Sequence, residues 1–297
     1  MPEILARTVE VTRRYGAVTA LDRVSLDIHA GELVGLLGPN GAGKSTLINL
    51  FAGLRRPTSG AVELFGGSPR DPARRRGIGV TPQETGLPPT LRVGECVDFV
   101  AAHYPGALGR QALLERFDLA DLARRQIGGL SGGQKRRLAV ALAFAGEPRL
   151  VFLDEPTTGL DVEARHALWD GIRRFHAAGG TVVLTSHYLE EIEALAERVV
   201  VIAEGRVLAD DTMAAVRGLV SVHRVTVSVP DPSVVTGLPG VLGVEHQGAR
   251  AHLLTADADT LVRELVLADV PFSGLEVRPT SLEEAFLTVT AQRQPVA

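Results

Sequence analysis

The chain has 297 residues, 45% of them apolar and 22% charged, with a formal charge of −4, enough for one large or two ordinary domains around buried cores. Residues 1–221 carry 26 acidic and 26 basic side chains and residues 222–297 carry 9 and 5, a balance that argues against nucleic acid as the principal partner. A single cysteine, Cys96, excludes an intrachain disulfide and a cysteine metal cluster, and no apolar run approaches the ~20 residues that span a bilayer. Met1-Pro2-Glu3 lacks the basic-then-apolar layout of a signal peptide, so a cytoplasmic location is expected.

Through roughly residue 217, apolar runs of strand length alternate with amphipathic stretches of helix length, which predicts an α/β fold with a parallel core. Leu33–Leu37 reads as a buried strand, followed by a glycine-rich turn and a helix from about Gly43 to Phe51. Between Thr90 and Gly128 the periodicity turns helical, as at Leu113-Leu114 and Phe117. Leu150 to Leu153 is a second buried strand, ending in Asp154-Glu155, and Thr181 to Leu184 is a third, ending near His187. Chemistry therefore gathers where strands end, the ligand edge of open α/β sheets. Met213 to Leu219 reads as a closing helix. Short β-rich segments follow at Val225 to Val229, Val241 to Glu245 and Ala251 to Leu254, with a helix near Thr260 to Leu267 and a strand near Leu275 to Val277. Ser281 with Glu284 forms a capping-box pattern for a last helix through Leu287. The expected domains are 1–221 and a small α+β domain at 222–297.

The run Gly38-Pro39-Asn40-Gly41-Ala42-Gly43-Lys44-Ser45 fits the phosphate-loop pattern, with a buried strand before it and a helix after it. Glycines let backbone N–H groups turn inward around phosphate oxygens, and the helix directs its positive end at the same anion. Lys44 would neutralise β- and γ-phosphate charge as a compact ammonium, and Ser45 would offer a hydroxyl to Mg²⁺. Only two of the 31 basic residues are lysines, so a lysine here is not a matter of charge supply. Asp154, at a strand tip, can hold Mg²⁺ through water while Glu155 polarises the attacking water. Leu130-Ser131-Gly132-Gly133-Gln134 opens the apolar run Leu138 to Phe144, a second anion-receiving helix start that has no lysine of the phosphate-loop kind.

These segments together resemble the ATP-binding-cassette (ABC) ATPases: the phosphate loop at Gly38 to Thr46, the signature Leu130 to Gln134, the Asp154-Glu155 strand end and the loop Gly159-Leu160-Asp161. The resemblance covers about residues 3 to 217 and implies a P-loop NTPase core with an antiparallel β subdomain and a helical insertion at about 88–145. It further implies that Tyr15 stacks on adenine and that Gln83, in Thr81-Pro82-Gln83-Glu84, senses Mg²⁺ and water and communicates with a membrane partner. His187 matches the switch histidine that contacts the γ-phosphate. Cassettes of this family pair head to tail, so Ser131 and Gly133 of one copy would close over the ATP held by Lys44 of the other, and Gly159, Leu160 and Asp161 would lie at the dimer interface.

The segment Pro279 to Leu287 resembles the C-terminal extension of the ABC-2-type, daunorubicin-resistance-like export ATPases. The implied function is ATP hydrolysis that energises efflux through separate, six-span permease subunits, on the cytoplasmic face of the membrane, with ATP and Mg²⁺ as cofactors and no nucleic acid. Two alternatives compete. Ribosome- or DNA-acting ABC proteins carry two cassettes or a long coiled coil, whereas here one cassette has 86 residues between Lys44 and Ser131. A P-loop small-molecule kinase leaves the signature unexplained. The basic runs Arg74-Arg75-Arg76 and Lys135-Arg136-Arg137 read as solvated faces, and Cys96 and Trp169 as packing residues.

Overall fold

A computed structural model describes residues 2–81, 86–186, 189–215, 223–231, 233–248 and 250–279. The chain divides into two compact units, Met1–Met213 and Ala214–Ala297.

In the first unit, a three-stranded antiparallel sheet has the order β2-β1-β4, built from β1 (Ile4–Tyr15), β2 (Val18–His29) and β4 (Ser59–Leu64). A six-stranded sheet has the order β5-β6-β7-β3-β8-β9, from β3 (Leu33–Leu37), β5 (Ile78–Thr81), β6 (Leu150–Asp154), β7 (Thr181–Ser186), β8 (Arg198–Ala203) and β9 (Arg206–Thr212). The first five strands in that order run parallel, and β9 is an antiparallel edge. Every residue of β3, β6 and β7 is buried, which is why these strands read as unbroken apolar runs rather than as alternating patterns.

The helices of this unit are α1 (Lys44–Phe51), α2 (Pro72–Arg75), α3 (Val93–Ala101), α4 (Arg110–Arg116), α5 (Gly132–Ala143), α6 (Val162–Ala177) and α7 (Leu189–Leu195). Phe51 of α1 stacks on Phe152 of β6 with ring centroids 5.6 Å apart, both side chains fully buried. That contact fixes the helix after the phosphate loop to the strand that ends in Asp154, so two parts of the site share one core. Cys96 and Trp169 are buried, as packing residues should be.

Register sets the site. Leu37 pairs with Ser186 and Asp154 with Thr185. The tips of β3, β7 and β6 therefore finish level, and the loops that follow them share one edge.

The second unit has strands β10 (His223–Ser228), β11 (Val241–Gln247), β12 (Arg250–Thr255) and β13 (Ser273–Pro279), in the order β11-β12-β10-β13, all antiparallel. With α8 (Ser233–Thr236) and α9 (Ala258–Leu267) the chain order is βαββαβ, the split-βαβ arrangement. Its core is Val225, Val227, Leu253, Leu261 and Leu265, the inward residues of two strands and one helix. Asp257 caps α9, accepting from the Thr260 N–H at 3.0 Å and the Thr260 hydroxyl at 2.7 Å, and these bonds lower its carboxyl pKa. Most of the closing helix expected at Met213 to Leu219, and the helix expected after Ser281, lie outside the described residues.

Candidate functional site

The turn after β3 is shaped by close backbone approach. A Cβ on Gly38 would lie 2.0 Å from the Ile202 carbonyl oxygen, and one on Gly43 would lie 2.4 Å from that of Ala20. Gly43 also has φ +106°, in the left-handed region, and it precedes α1 without any side-chain cap. The uncapped first turn of α1 leaves its N–H groups to an anion rather than to a neighbouring side chain. A cleft of about 270 Å³ lies over this turn, lined by Ala20, Asn40, Gly41, Ala42, Gly43, Lys44, Ser45, Thr46 and Glu155.

Lys44 is 6% exposed, and its Nζ donates to the carbonyls of Gly38 at 2.6 Å and Pro39 at 3.0 Å. Burial lowers its pKa, and the charges of Glu155 and Asp154 oppose that shift. A desolvated ammonium held near two carboxylates, beside a helix start, is arranged to receive a polyanion.

Asp154 is also buried, yet it is paired: its Oδ1 accepts from the Thr185 hydroxyl at 2.6 Å. The same Thr185 oxygen accepts the Glu155 N–H at 2.9 Å. Glu155 has φ +46°, a left-handed conformation that costs a non-glycine residue about 1–3 kcal/mol and persists only where neighbours over-determine it. Thr185 is one such neighbour; Thr158, whose hydroxyl donates to Glu155 Oε2 at 3.2 Å, is another. Thr185→Val should leave Asp154 short of a donor and Glu155 short of an acceptor, costing about 1–3 kcal/mol. Urea unfolding of the purified chain measures that loss, and ATP turnover should fall with it.

The oxygen-only set of Ser45 and Asp154 suits a hard cation such as Mg²⁺, which takes few protein ligands and keeps several waters. No cluster of three or more histidine, cysteine or acidic residues that could hold a metal ion exists among the described residues.

Ser131 caps α5. Its hydroxyl oxygen accepts from the Gln134 N–H at 3.2 Å while Gln134 Oε1 accepts from the Ser131 N–H at 3.0 Å, a reciprocal box that leaves the serine O–H as a donor. Ser131 and Gly132 are exposed, Leu130 is buried, and Gly133 packs against Leu160: a Cβ there would meet Leu160 Cδ2 at 3.3 Å. Asp161 caps α6 through the Ala164 N–H at 2.8 Å, and Gly159 turns the chain at φ +76°. The signature and the Gly159-Leu160-Asp161 loop are thus neighbours in one chain, and neither lines the cleft at Lys44. Tyr15, at the end of β1, is 42% exposed, with the Arg13 guanidinium 4.3 Å from its ring centre. Gln83 and His187 lie outside the described residues.

Three features escaped the sequence reading. Thr185 had no motif to announce it; only strand register puts its hydroxyl beside Asp154. Glu191 of α7 is 1% exposed and accepts from the Thr157 hydroxyl at 2.9 Å, tying α7 to the turn after Glu155. Burial raises its carboxyl pKa, and hydrogen bonds from Ser186 and Thr157 oppose the shift. A raised acid pKa means that the folded chain binds more protons than the unfolded one, so stability falls as pH rises above the ordinary 4.5 toward the folded value. Glu191→Gln should remove that slope, leaving a flatter stability profile on the alkaline side of pH 4.5, read from denaturation midpoints across a pH series.

The third feature corrects an expectation. Arg136 and Arg137 do not lie on a solvated face; they are 6% and 9% exposed. Arg137 Nη1 donates to Asp118 at 2.9 Å, and Arg136 turns inward onto main-chain carbonyls. A charge run gives no sign of direction, because the helical turn points adjacent residues to different sides. Of the other run, Arg75 and Arg76 are exposed, and Arg74 is half-buried over the carbonyls of Leu64 and Phe65.

The sequence profile described as "ABC transporter" matches residues 21–158. The chain is 36% identical to the Nod factor export ATP-binding protein I of Paraburkholderia xenovorans (strain LB400), over 98% of this chain and 99% of that protein. It is also 36% identical to the daunorubicin resistance ATP-binding protein DrrA3 of Streptomyces coeruleorubidus, over 96% of this chain and 95% of that one. Among solved structures, the dimeric bacterial cassette MJ0796 aligns with a TM-score of 0.64 at 30% identity, over 70% of this chain and 99% of that chain.

Proposed function

Because this chain belongs to the ATP-binding subunits of the ABC transporters, we propose that two copies close head to tail around two ATP molecules and drive export through separate membrane subunits. It is an ATPase, and its relatives are named for export of a Nod factor and for daunorubicin resistance. No helix among the described residues is long and apolar enough to cross a membrane.

One observation carries the reading. The chain offers a cleft with a buried lysine and a glutamate, and separately an exposed, capped helix start at Ser131 that does not line that cleft. Two anion-receiving elements that share no cleft within one chain become one site when two copies meet, and a two-fold pair then makes two equivalent sites. A solved cassette of similar fold is dimeric.

In each site the residues divide the work. Lys44 and the N–H groups of α1 hold the phosphates, and Ser45, Gln83 and, through water, Asp154 would hold Mg²⁺, which supplies charge neutralisation when bound. Glu155 orients the attacking water and takes its proton, His187 contacts the γ-phosphate, and Tyr15 stacks on the base. Ser131 and Gly133 of the second copy complete the cage, with Gly159, Leu160 and Asp161 at the join. Closure is a population shift that ATP favours and hydrolysis reverses, and the membrane subunits convert it into alternating access. The chain then sits on the cytoplasmic face of the membrane, and Gln83 reports to a six-span partner.

Co-expression with any membrane chain that the adjacent gene encodes tests this assignment. The two should co-purify, and turnover should respond to assembly in vesicles. Co-sedimentation with ribosomes and no membrane partner would favour a translation-associated role instead.

A further inference from the structure

Arg136 lies on α5, five residues after Ser131, and its buried guanidinium collects three successive main-chain carbonyls at the end of β6. Nε donates to the Pro156 oxygen at 3.3 Å, and Nη2 donates to the Glu155 oxygen at 2.8 Å and to the Asp154 oxygen. An extended strand sends successive carbonyls to opposite sides; these three converge because Glu155 turns into the left-handed region. A planar fork of donors matches converging acceptors in a way that a point charge does not. Packing alone gives no reason for a cation here, since an apolar side chain joins a helix to a sheet without the desolvation of a charge.

We propose that Arg136 is a positioning residue for Glu155, tying the orientation of that carboxylate to the helix whose first turn meets the nucleotide of the second copy. The proposal rests on the head-to-tail reading above. Helix α5 is the lever: five residues span about 7.5 Å of axis, so the phosphate-facing end and the guanidinium move together. On its other flank Glu155 is anchored, its N–H held by Thr185 of β7. A shift of α5 as Ser131 engages phosphate therefore moves the carbonyl side of Glu155 while the amide side stays fixed. Each copy thereby sets its own glutamate according to the nucleotide held by its partner, and neither site is fully armed until both are filled.

The test uses the full-length chain, with steady-state ATP turnover and ATP-dependent dimerisation measured by sedimentation in the Glu155→Gln background. Arg136→Met keeps the length of the side chain and removes its donors. Its kcat should fall about 10- to 100-fold, the loss expected when a reacting group is slightly misplaced. KM should stay within about twofold, because binding is not the step affected. The double variant with Glu155→Gln should still form the ATP dimer. Arg136→Lys, a single centre reaching fewer carbonyls, should restore turnover in part, and it decides the matter if the methionine variant does not fold. Wild-type kcat in a folded Arg136 variant, or loss of the ATP dimer in the double variant, overturns the proposal. If Glu155→Gln alone forms no ATP-dependent dimer, the head-to-tail reading is what fails, and the coupling falls with it.

Discussion

Glu155→Gln should abolish turnover, by about 10²- to 10⁴-fold, while ATP binding stays intact and a nucleotide-locked dimer accumulates. The amide keeps the size of the side chain and can still meet the Thr158 hydroxyl that donates to Oε2, so the left-handed turn at Glu155 should survive. What it loses is the ability to take a proton from water. Single-turnover assays separate this from a binding defect: nucleotide should be retained and uncleaved, and sedimentation should show dimer only with Mg-ATP. Wild-type hydrolysis by this variant would remove Glu155 from its role.

Ser131→Arg should lower turnover at saturating ATP by about 10²- to 10³-fold, the range seen when one donor to a developing anion is lost. ATP binding to the monomer should be largely unchanged, because Ser131 does not line the cleft at Lys44. Arginine also removes the cap on α5, worth about 1 kcal/mol, so the variant mixes a fold effect with a site effect. Ser131→Asp separates the two. Aspartate caps as well as serine and would keep the Gln134 N–H bonded, yet it sets a carboxylate where a phosphate is expected. Equal loss in both variants points to the shared site; normal turnover in the aspartate variant would contradict it.

The strands and the glycine turn were legible because their constraints are local. Leu33–Leu37 and Leu150–Asp154 are buried on both faces, so burial wrote itself as continuous apolar sequence. The phosphate turn was legible because only glycine fits where a Cβ would strike the carbonyl of Ala20 or Ile202, and that demand leaves a spaced pattern. Ser131 and Gln134 formed a readable cap for the same reason, a bond closed within four residues.

Thr185, Glu191 and Arg136 were not legible. Thr185 is an ordinary strand threonine until parallel pairing with β6 sets it beside Asp154. Glu191 has the look of a surface acid, one of three in α7, until packing buries it on Thr157. Arg136 sat in a run of three cations, and the turn of α5 sent it into the protein while Lys135 stayed nearer solvent, 3.5 Å from the Gly128 oxygen.

The sequence by itself determined which groups this protein brings to its strand ends: a lysine and a hydroxyl after a glycine turn, two carboxylates at a strand end, and a second glycine-led helix start. These follow from interactions between residues a few positions apart, which sequence order records. Only the tertiary structure decided how Glu155 is held, through Thr185 about thirty positions later and Arg136 about twenty earlier. Such partners meet because parallel strands finish level and helix α5 packs against the edge of their sheet, and neither register nor helix rotation leaves a mark on any one stretch of chain.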